Sequence, residues 1–346
     1  MDVIEINNLT KKYGNIVAVD SISLNIEKGK IYGFLGPNGA GKTTTLNIIT
    51  GYIGASEGTV KINGFDVLKD ADEAKKQFGY LPELPPLYMD MTVAEYLKFA
   101  AELKKIDKKD RKKSIDEAMK LAGVDKVSKR LIKNLSKGYK QRVGVSQAIL
   151  GMPEVIILDE PSVGLDPGQI KELRSLIKKL GEKHTVILSS HILSEISEVC
   201  EQIFIISKGK IVANCSKEEL LGNVSSVSEL ELEVKGNEKH VVYTLNNIEG
   251  IGTFKTMMMG DTVNIKINMK SDNDIRETLF NALSEAKIPI LSMKLNEQSL
   301  EDVFMELTKD NDPSESASGT KSSKNEKKNH GKSKKDSSNN NGKEKK

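Results

Sequence analysis

The chain has 346 residues, a formal net charge of +3 and two cysteines. That length suits about two domains with a sizeable core, and two cysteines make no disulfide framework, which fits a reducing cytosol. Ten Lys against five Asp or Glu from Asn311 to Lys346 leave the first 310 residues at −2, so the body carries no general nucleic-acid footprint. No apolar run approaches the ~18 residues of a bilayer span, and the start, Met1-Asp2-Val3-Ile4-Glu5, does not read as a signal peptide. A soluble, cytoplasmic chain is expected.

Val3 to Leu9 alternates apolar and polar residues like a half-buried strand, and Ser21 to Glu27 repeats the pattern with Ile22, Leu24 and Ile26 on one face. Tyr13 falls between them; an aromatic there can stack on a base or pack at a strand end, and the residues alone favour packing. After Lys28-Gly29 the apolar run Ile31 to Leu35 leads into Gly36-Pro37-Asn38-Gly39-Ala40-Gly41-Lys42-Thr43, followed by the helix-prone Thr44 to Ile49. Strand, glycine-rich turn and helix in that order form the context of a phosphate-binding loop. The glycines let backbone N–H groups turn inward around a polyphosphate, and the helix adds the positive end of its dipole. Lys42 supplies a charge for the β- and γ-phosphates and Thr43 a hydroxyl for Mg²⁺. The chain is read as binding a nucleoside triphosphate.

Thr59 to Gly64 reads as a strand ending in a turn, with a short helix after Ala71; Phe78 to Leu81 is a short strand broken by Pro82, Pro85 and Pro86. From Thr92 a helical spacing puts Val93, Tyr96, Leu97 and Ala100 on one face, and a second helix, Asp110 to Ala122, ends at Gly123. The cations Lys104, Lys105, Lys108, Lys109, Arg111, Lys112 and Lys113 are expected to form a solvated face. Asn134-Leu135-Ser136-Lys137-Gly138-Tyr139-Lys140-Gln141-Arg142 opens a further helix. The strand Val155 to Leu158 ends in Asp159-Glu160-Pro161. An Asp at that point places a carboxylate beside the phosphate-loop magnesium, and the next carboxylate is placed to polarise a water. Helix Gly168 to Leu180 and strand Thr185 to Leu188 lead to Ser189-Ser190-His191, where an imidazole either reaches a γ-phosphate or serves the structure. Strands Ile203 to Ile206 and Ile211 to Asn214 follow. Such alternation, with continuous apolar strand cores, indicates a parallel sheet covered on both faces.

A different pattern starts near Ser225. Strand Leu230 to Val234, a short helix His240 to Leu245, strands Gly252 to Met258 and Thr262 to Ile267, helix Asp274 to Ala286, strand Ile288 to Leu295 and a last helix from Ser299 give the order β-α-β-β-α-β of a ferredoxin-like split unit. Met257, Met258 and Met259 read as gap-filling or edge-exposed residues rather than a sulfur ligand set. From Asp310 onward Ser, Lys, Asn, Gly, Asp and Glu dominate, and a disordered tail is expected. Its lysines give at most a weak, salt-sensitive contact with anionic lipid.

Leu135-Ser136-Lys137-Gly138-Tyr139, taken in order with Gly36 to Thr43, Ile157 to Pro161, Ser162-Val163-Gly164-Leu165-Asp166 and His191, resembles the nucleotide-binding subunit of ABC transporters over roughly residues 1–222. Gly79-Tyr80-Leu81-Pro82-Glu83 and Ser299-Leu300-Glu301-Asp302-Val303-Phe304 resemble the bacterial drug, antibiotic and gliding-motility export branch, where a small C-terminal domain commonly follows the ATPase. The resemblance implies an α/β P-loop ATPase domain of the ABC type, with an antiparallel β subdomain and a helical subdomain at about 84–150. A small α+β domain at 225–308 and the tail at 310–346 complete the expected organisation.

It also implies roles. Tyr13 would stack on adenine. Gly36, Asn38, Gly39, Gly41, Lys42, Thr43 and Thr44 would hold the triphosphate of ATP, with Thr43 and Asp159 on Mg²⁺. Glu160 would act as general base or water-orienting group, and His191 would sense the γ-phosphate. Ser136 and Gly138 would contact the ATP bound to the opposite subunit, with Asp166 at the seam of a homodimer or heterodimer. Two departures stand out: Lys137 and Tyr139 replace a Gly and the Gln of the usual Leu-Ser-Gly-Gly-Gln signature, and Glu83 takes the place of a Gln near magnesium, where its oxygen can still ligate. A separate transmembrane permease would be the partner, with the chain on the inner face of the cell membrane. The alternative is a soluble ATPase of the same superfamily on a nucleic-acid or ribosomal machine. Ribosome-acting relatives usually carry two cassettes per chain, and chromosome-type relatives carry long coiled coils; this sequence has one cassette and no such heptads.

Overall fold

The computed structural model describes residues 2–224, 228–248, 250–269 and 275–297. The expected helix from Ser299 with its motif, and the tail, lie outside them.

Strands β1 (Asp2–Tyr13), β2 (Ile16–Glu27), β4 (Glu57–Ile62) and β5 (Phe65–Asp66) form an antiparallel sheet in the order β2-β1-β4-β5. The larger sheet holds β3 (Ile31–Leu35), β6 (Phe78–Leu81), β7 (Val155–Leu158), β8 (Thr185–Ser190), β9 (Gln202–Ser207) and β10 (Lys210–Ser216), in the order β10-β9-β3-β8-β7-β6. All its neighbours run parallel except β10, which turns back antiparallel on β9. Strands β3, β7 and β8 are buried along their whole length, which is why they read as unbroken apolar runs.

Alternate residues of these strands feed two cores, because successive side chains point to opposite faces. Tyr32, Phe34, Val155 and Ile157 join the antiparallel sheet and helix α1 (Lys42–Ile49) in one core. Ile31, Leu35, Ile156 and Leu158 face the helices α3 (Val93–Leu103), α4 (Lys108–Ala122) and α5 (Lys137–Ile149), together with α6 (Pro167–Gly181) and α7 (Leu193–Val199), in the other. A short helix, α2 (Ala71–Gln77), precedes β6.

The helical part follows local signals. Thr92 and Glu95 close a capping box on α3, and Gly123 ends α4 in the left-handed conformation. Helix α5 lies against β6 so closely that a methyl group on Gly79 would overlap the Ala148 carbonyl. One expectation is corrected: Lys104 is not part of a solvated face. Its ammonium donates to the carbonyls of Ala148 and Leu150 at 3.0 and 3.1 Å, and burial pulls its pKa down to about 8.

After α8 (Lys217–Val224), the chain forms β11 (Ser228–Lys235), α9 (Glu238–Asn246), β12 (Ile251–Met259), β13 (Thr262–Met269), α10 (Arg276–Glu285) and β14 (Ile290–Glu297). These strands make an antiparallel sheet in the order β12-β13-β11-β14, packed on its own core around Leu232, Val263, Ile265, Leu279 and Leu283. Met257, Met258 and Met259 stand exposed on β12, at the sheet edge.

Candidate active site

Between β3 and α1 the backbone makes turns that side chains oppose. Gly41 has φ +107° and lies against the Ala18 carbonyl, and a methyl group on Gly36 would strike the carbonyl of Ile206. Helix α1 then starts with no acidic residue in its first turn, leaving its free N–H groups and positive dipole end for an anion. The buried Lys42 ammonium folds back over the loop and donates to the carbonyls of Gly36 at 2.7 Å and Pro37 at 3.3 Å. Asn38, Gly39, Gly41, Lys42, Thr43 and Thr44 line a cavity of about 440 Å³, closed on the far side by Ala18, Glu83, Glu160, Val163 and His191. The sequence thus brings its phosphate loop, both catalytic candidates and Glu83 to one cavity.

The carboxylates hang from the end of β7. Asp159 is fully buried. Its Oδ1 accepts from the Ser189 hydroxyl at 2.6 Å and from Thr43 Oγ1 at 3.3 Å. Its Oδ2 is buried without a partner among the described residues. Desolvation pushes the carboxyl pKa up, the two hydroxyls pull it down, and the charges of Glu160 and Glu83 add to the rise. A buried carboxylate oxygen with no donor, beside the Thr43 hydroxyl, fits a hard divalent cation. Among the described residues no group of three or more His, Cys, Asp or Glu stands together as a metal site.

Glu160 sits in the left-handed region at φ 45°, a strained conformation for a residue with a side chain. Its backbone N–H donates to Ser189 Oγ at 2.8 Å, so one hydroxyl fixes both neighbouring acids. Its carboxylate meets the Lys42 ammonium at 3.2 Å and His191 Nδ1 at 2.9 Å. Lys42 and Glu160 are buried while His191 is half-open to solvent. Further back, the buried Glu195 accepts from the hydroxyls of Ser162 and Ser190, tying the segment after Glu160 to the end of β8. Sequence reasoning missed Ser189, Ser162 and Glu195. The one available signal was the Ser189-Ser190 pair closing an apolar strand just before His191.

The remaining candidates lie elsewhere. Tyr13 ends β1 half-exposed, with the Lys11 ammonium 5.3 Å from its ring centroid. Ser136 caps α5 and accepts from the Tyr139 N–H at 3.4 Å; Asp166 caps α6 and accepts from the Gln169 N–H at 2.9 Å. Gly138 is buried against the Gln169 side chain, so the two helix starts touch. None of these four lines the 440 Å³ cavity.

An ABC transporter family model matches residues 19–163. A bacitracin transport ATP-binding protein of Bacillus licheniformis is 35% identical over 307 residues, covering 88% of this chain and 97% of that protein. A linearmycin resistance ATP-binding protein of Bacillus subtilis is 29% identical over 307 residues, covering 88% and 98%. Among solved structures, an ATP-binding subunit of an ABC transporter matches with a TM-score of 0.58 at 27% identity, covering 64% of this chain and 92% of that one. A dimeric ATP-binding cassette in a post-hydrolysis state with ADP and Pi matches with a TM-score of 0.56 at 28% identity, covering 62% and 98%. The chain belongs to the ABC transporter family, as an ATP-binding and ATP-hydrolysing subunit of its drug-export branch.

Proposed function

We propose that the chain powers export through a separate membrane-spanning permease, by closing with a second ATPase subunit around ATP held at a shared site. The observation that carries this reading is the split of the candidate residues. Lys42, Thr43, Glu160 and His191 line one cavity, with Asp159 bonded to Thr43, while Ser136 and Asp166 sit exposed at helix starts outside it, next to the buried Gly138. The loop N–H groups and Lys42 hold the triphosphate of ATP, and Tyr13 offers a ring face to adenine. Thr43 and Asp159, with Glu83 nearby, would hold Mg²⁺, which supplies charge neutralisation at the β- and γ-phosphates. Glu160 orients and polarises the attacking water, His191 holds the Glu160 carboxylate in place and faces the γ-phosphate, and Ser136 and Gly138 reach the ATP of the opposite subunit.

A second concavity of about 990 Å³ favours the permease as partner. Exposed Leu84, Tyr88 and Leu103 rim it, it shares Thr43 and Glu83 with the phosphate cavity, and it reaches Asp159. A segment seated there touches the ATP site directly. No helix among the described residues is long and apolar enough to cross a membrane; on this reading the partner supplies the spanning part. On this reading the chain works at the inner face of the cell membrane.

Glu160→Gln tests the chemistry. A group that acts in the transition state lowers turnover without loosening the ground state. ATP affinity should stay at the parent value while hydrolysis falls about a hundredfold or more. Hydrolysis at the parent rate would remove Glu160 from its role.

A further inference from the structure

Charge divides the body into two halves. Residues 84–150, which contain α3, α4 and α5, carry sixteen Lys or Arg against eight Asp or Glu, a net +8. Residues 1–83 and 151–222, which hold the rest of the ATPase part, stand at −4, and residues 223–310 at −6. The phosphate loop and the carboxylates Asp159, Glu160 and Glu83 belong to the acidic part, whereas the signature segment, with Ser136 and Gly138, belongs to the basic part.

Lys137 stands at the point where the basic part would meet a bound triphosphate. It follows the cap residue Ser136, is exposed, and packs its ammonium against Gly164 so closely that a methyl group there would overlap it. Gly164 lies in the turn between Glu160 and Asp166. Among the described residues no carboxylate pairs with the Lys137 ammonium. Its place in the helix is electrostatically unfavourable: the first turn of α5 holds no acidic residue to offset it. A cation at that end opposes the helix dipole, so helix formation does not account for it. A solvated lysine would gain nothing from lying beside the two residues read as contacts to the other subunit's ATP.

We infer that Lys137 is a cation delivered in trans to the terminal phosphate of ATP bound by the opposite subunit, and that the basic half steers the two subunits together. The inference rests on the shared-site reading above and adds a residue to it. Each shared site then receives Lys42 from one copy and Lys137 from the other. In phosphoryl transfer, catalysis is largely positioning plus neutralisation of charge on the phosphoryl oxygens. A second ammonium that arrives only on closure couples that neutralisation to dimer formation. Complementary charge also speeds encounter and makes it sensitive to salt.

The test uses the full chain carrying Glu160→Gln, so that ATP is held and not consumed. Dimerisation is followed by sedimentation in ATP across a range of KCl. Adding Lys137→Gln should weaken the ATP-driven dimer about tenfold and flatten its salt dependence, leave nucleotide affinity of the monomer unchanged, and be reversed by Lys137→Arg. A dimer of parent affinity and parent salt dependence in Lys137→Gln would overturn the role of Lys137. An equal loss in Lys137→Arg would overturn the charge argument. Absence of any ATP-driven dimer in the Glu160→Gln chain itself would instead overturn the shared-site reading on which the inference stands.

Discussion

The phosphate-binding half and the signature half of this molecule are built on opposite plans. The first gathers its polar groups at the ends of buried parallel strands, where each holds another: Lys42 with Glu160, Ser189 with Asp159, His191 with Glu160. The second places Ser136, Lys137 and Asp166 at exposed helix starts, where the hydrogen bonds of Ser136 and Asp166 only cap their own helices. On the proposed shared-site reading, a preorganised half-site buried in one chain and an exposed half-site beside it make a catalytic centre that is complete only when two surfaces meet. Because the buried, mutually bonded polar groups of the site lie in the first half, changes in the two halves should have different consequences.

The largest effect on stability should come from disturbing the joint between the halves. Gly79→Ala puts a methyl group into the Ala148 carbonyl of α5, with only backbone to move aside. It should cost about 1–3 kcal/mol in denaturant unfolding and loosen the helical part first. Unfolding at the parent midpoint would mean that α5 is not anchored on β6 in this way.

A smaller effect of opposite sign should come from the buried half. Burial raises the pKa of Asp159, so the folded chain holds that proton to higher pH than the unfolded one. Its contribution to stability is present below the ordinary carboxylate range and is lost as pH rises through the raised value. At neutral pH the ionised group is a burden in the absence of a cation. Asp159→Asn should therefore stabilise the nucleotide-free chain by about 1 kcal/mol, with a gain that shrinks on acidification, while hydrolysis is abolished. Thermal scans at two pH values check this, and a loss of stability at neutral pH would contradict it.

The contrast also explains what the sequence made legible. Unbroken apolar runs announced β3, β7 and β8, and the phosphate loop, the Asp159-Glu160 pair and His191 sat at their ends, where local order alone places them. The β-α-β-β-α-β order near the C-terminus was readable for the same reason, since each element carries its own period. Partners distant in sequence were not readable. Ser189 matters because its hydroxyl meets Asp159, 30 residues away, and no spacing rule encodes that meeting. Lys104 looked like its neighbours in a lysine-rich stretch, yet the carbonyls that hold it come from the end of α5. The sheet order β10-β9-β3-β8-β7-β6 likewise arises from tertiary packing. Tyr13 is placed as a usable ring face, but only the family resemblance pointed to adenine.

The central claim is that Ser136, outside its own cavity, completes the site of another subunit. Ser136→Arg introduces bulk and charge at that exposed cap without touching the phosphate loop of its own chain. In the Glu160→Gln background the account predicts unchanged nucleotide affinity for the monomer and loss of the ATP-driven dimer, measured by sedimentation in ATP. A dimer of full affinity in that double variant would contradict the account.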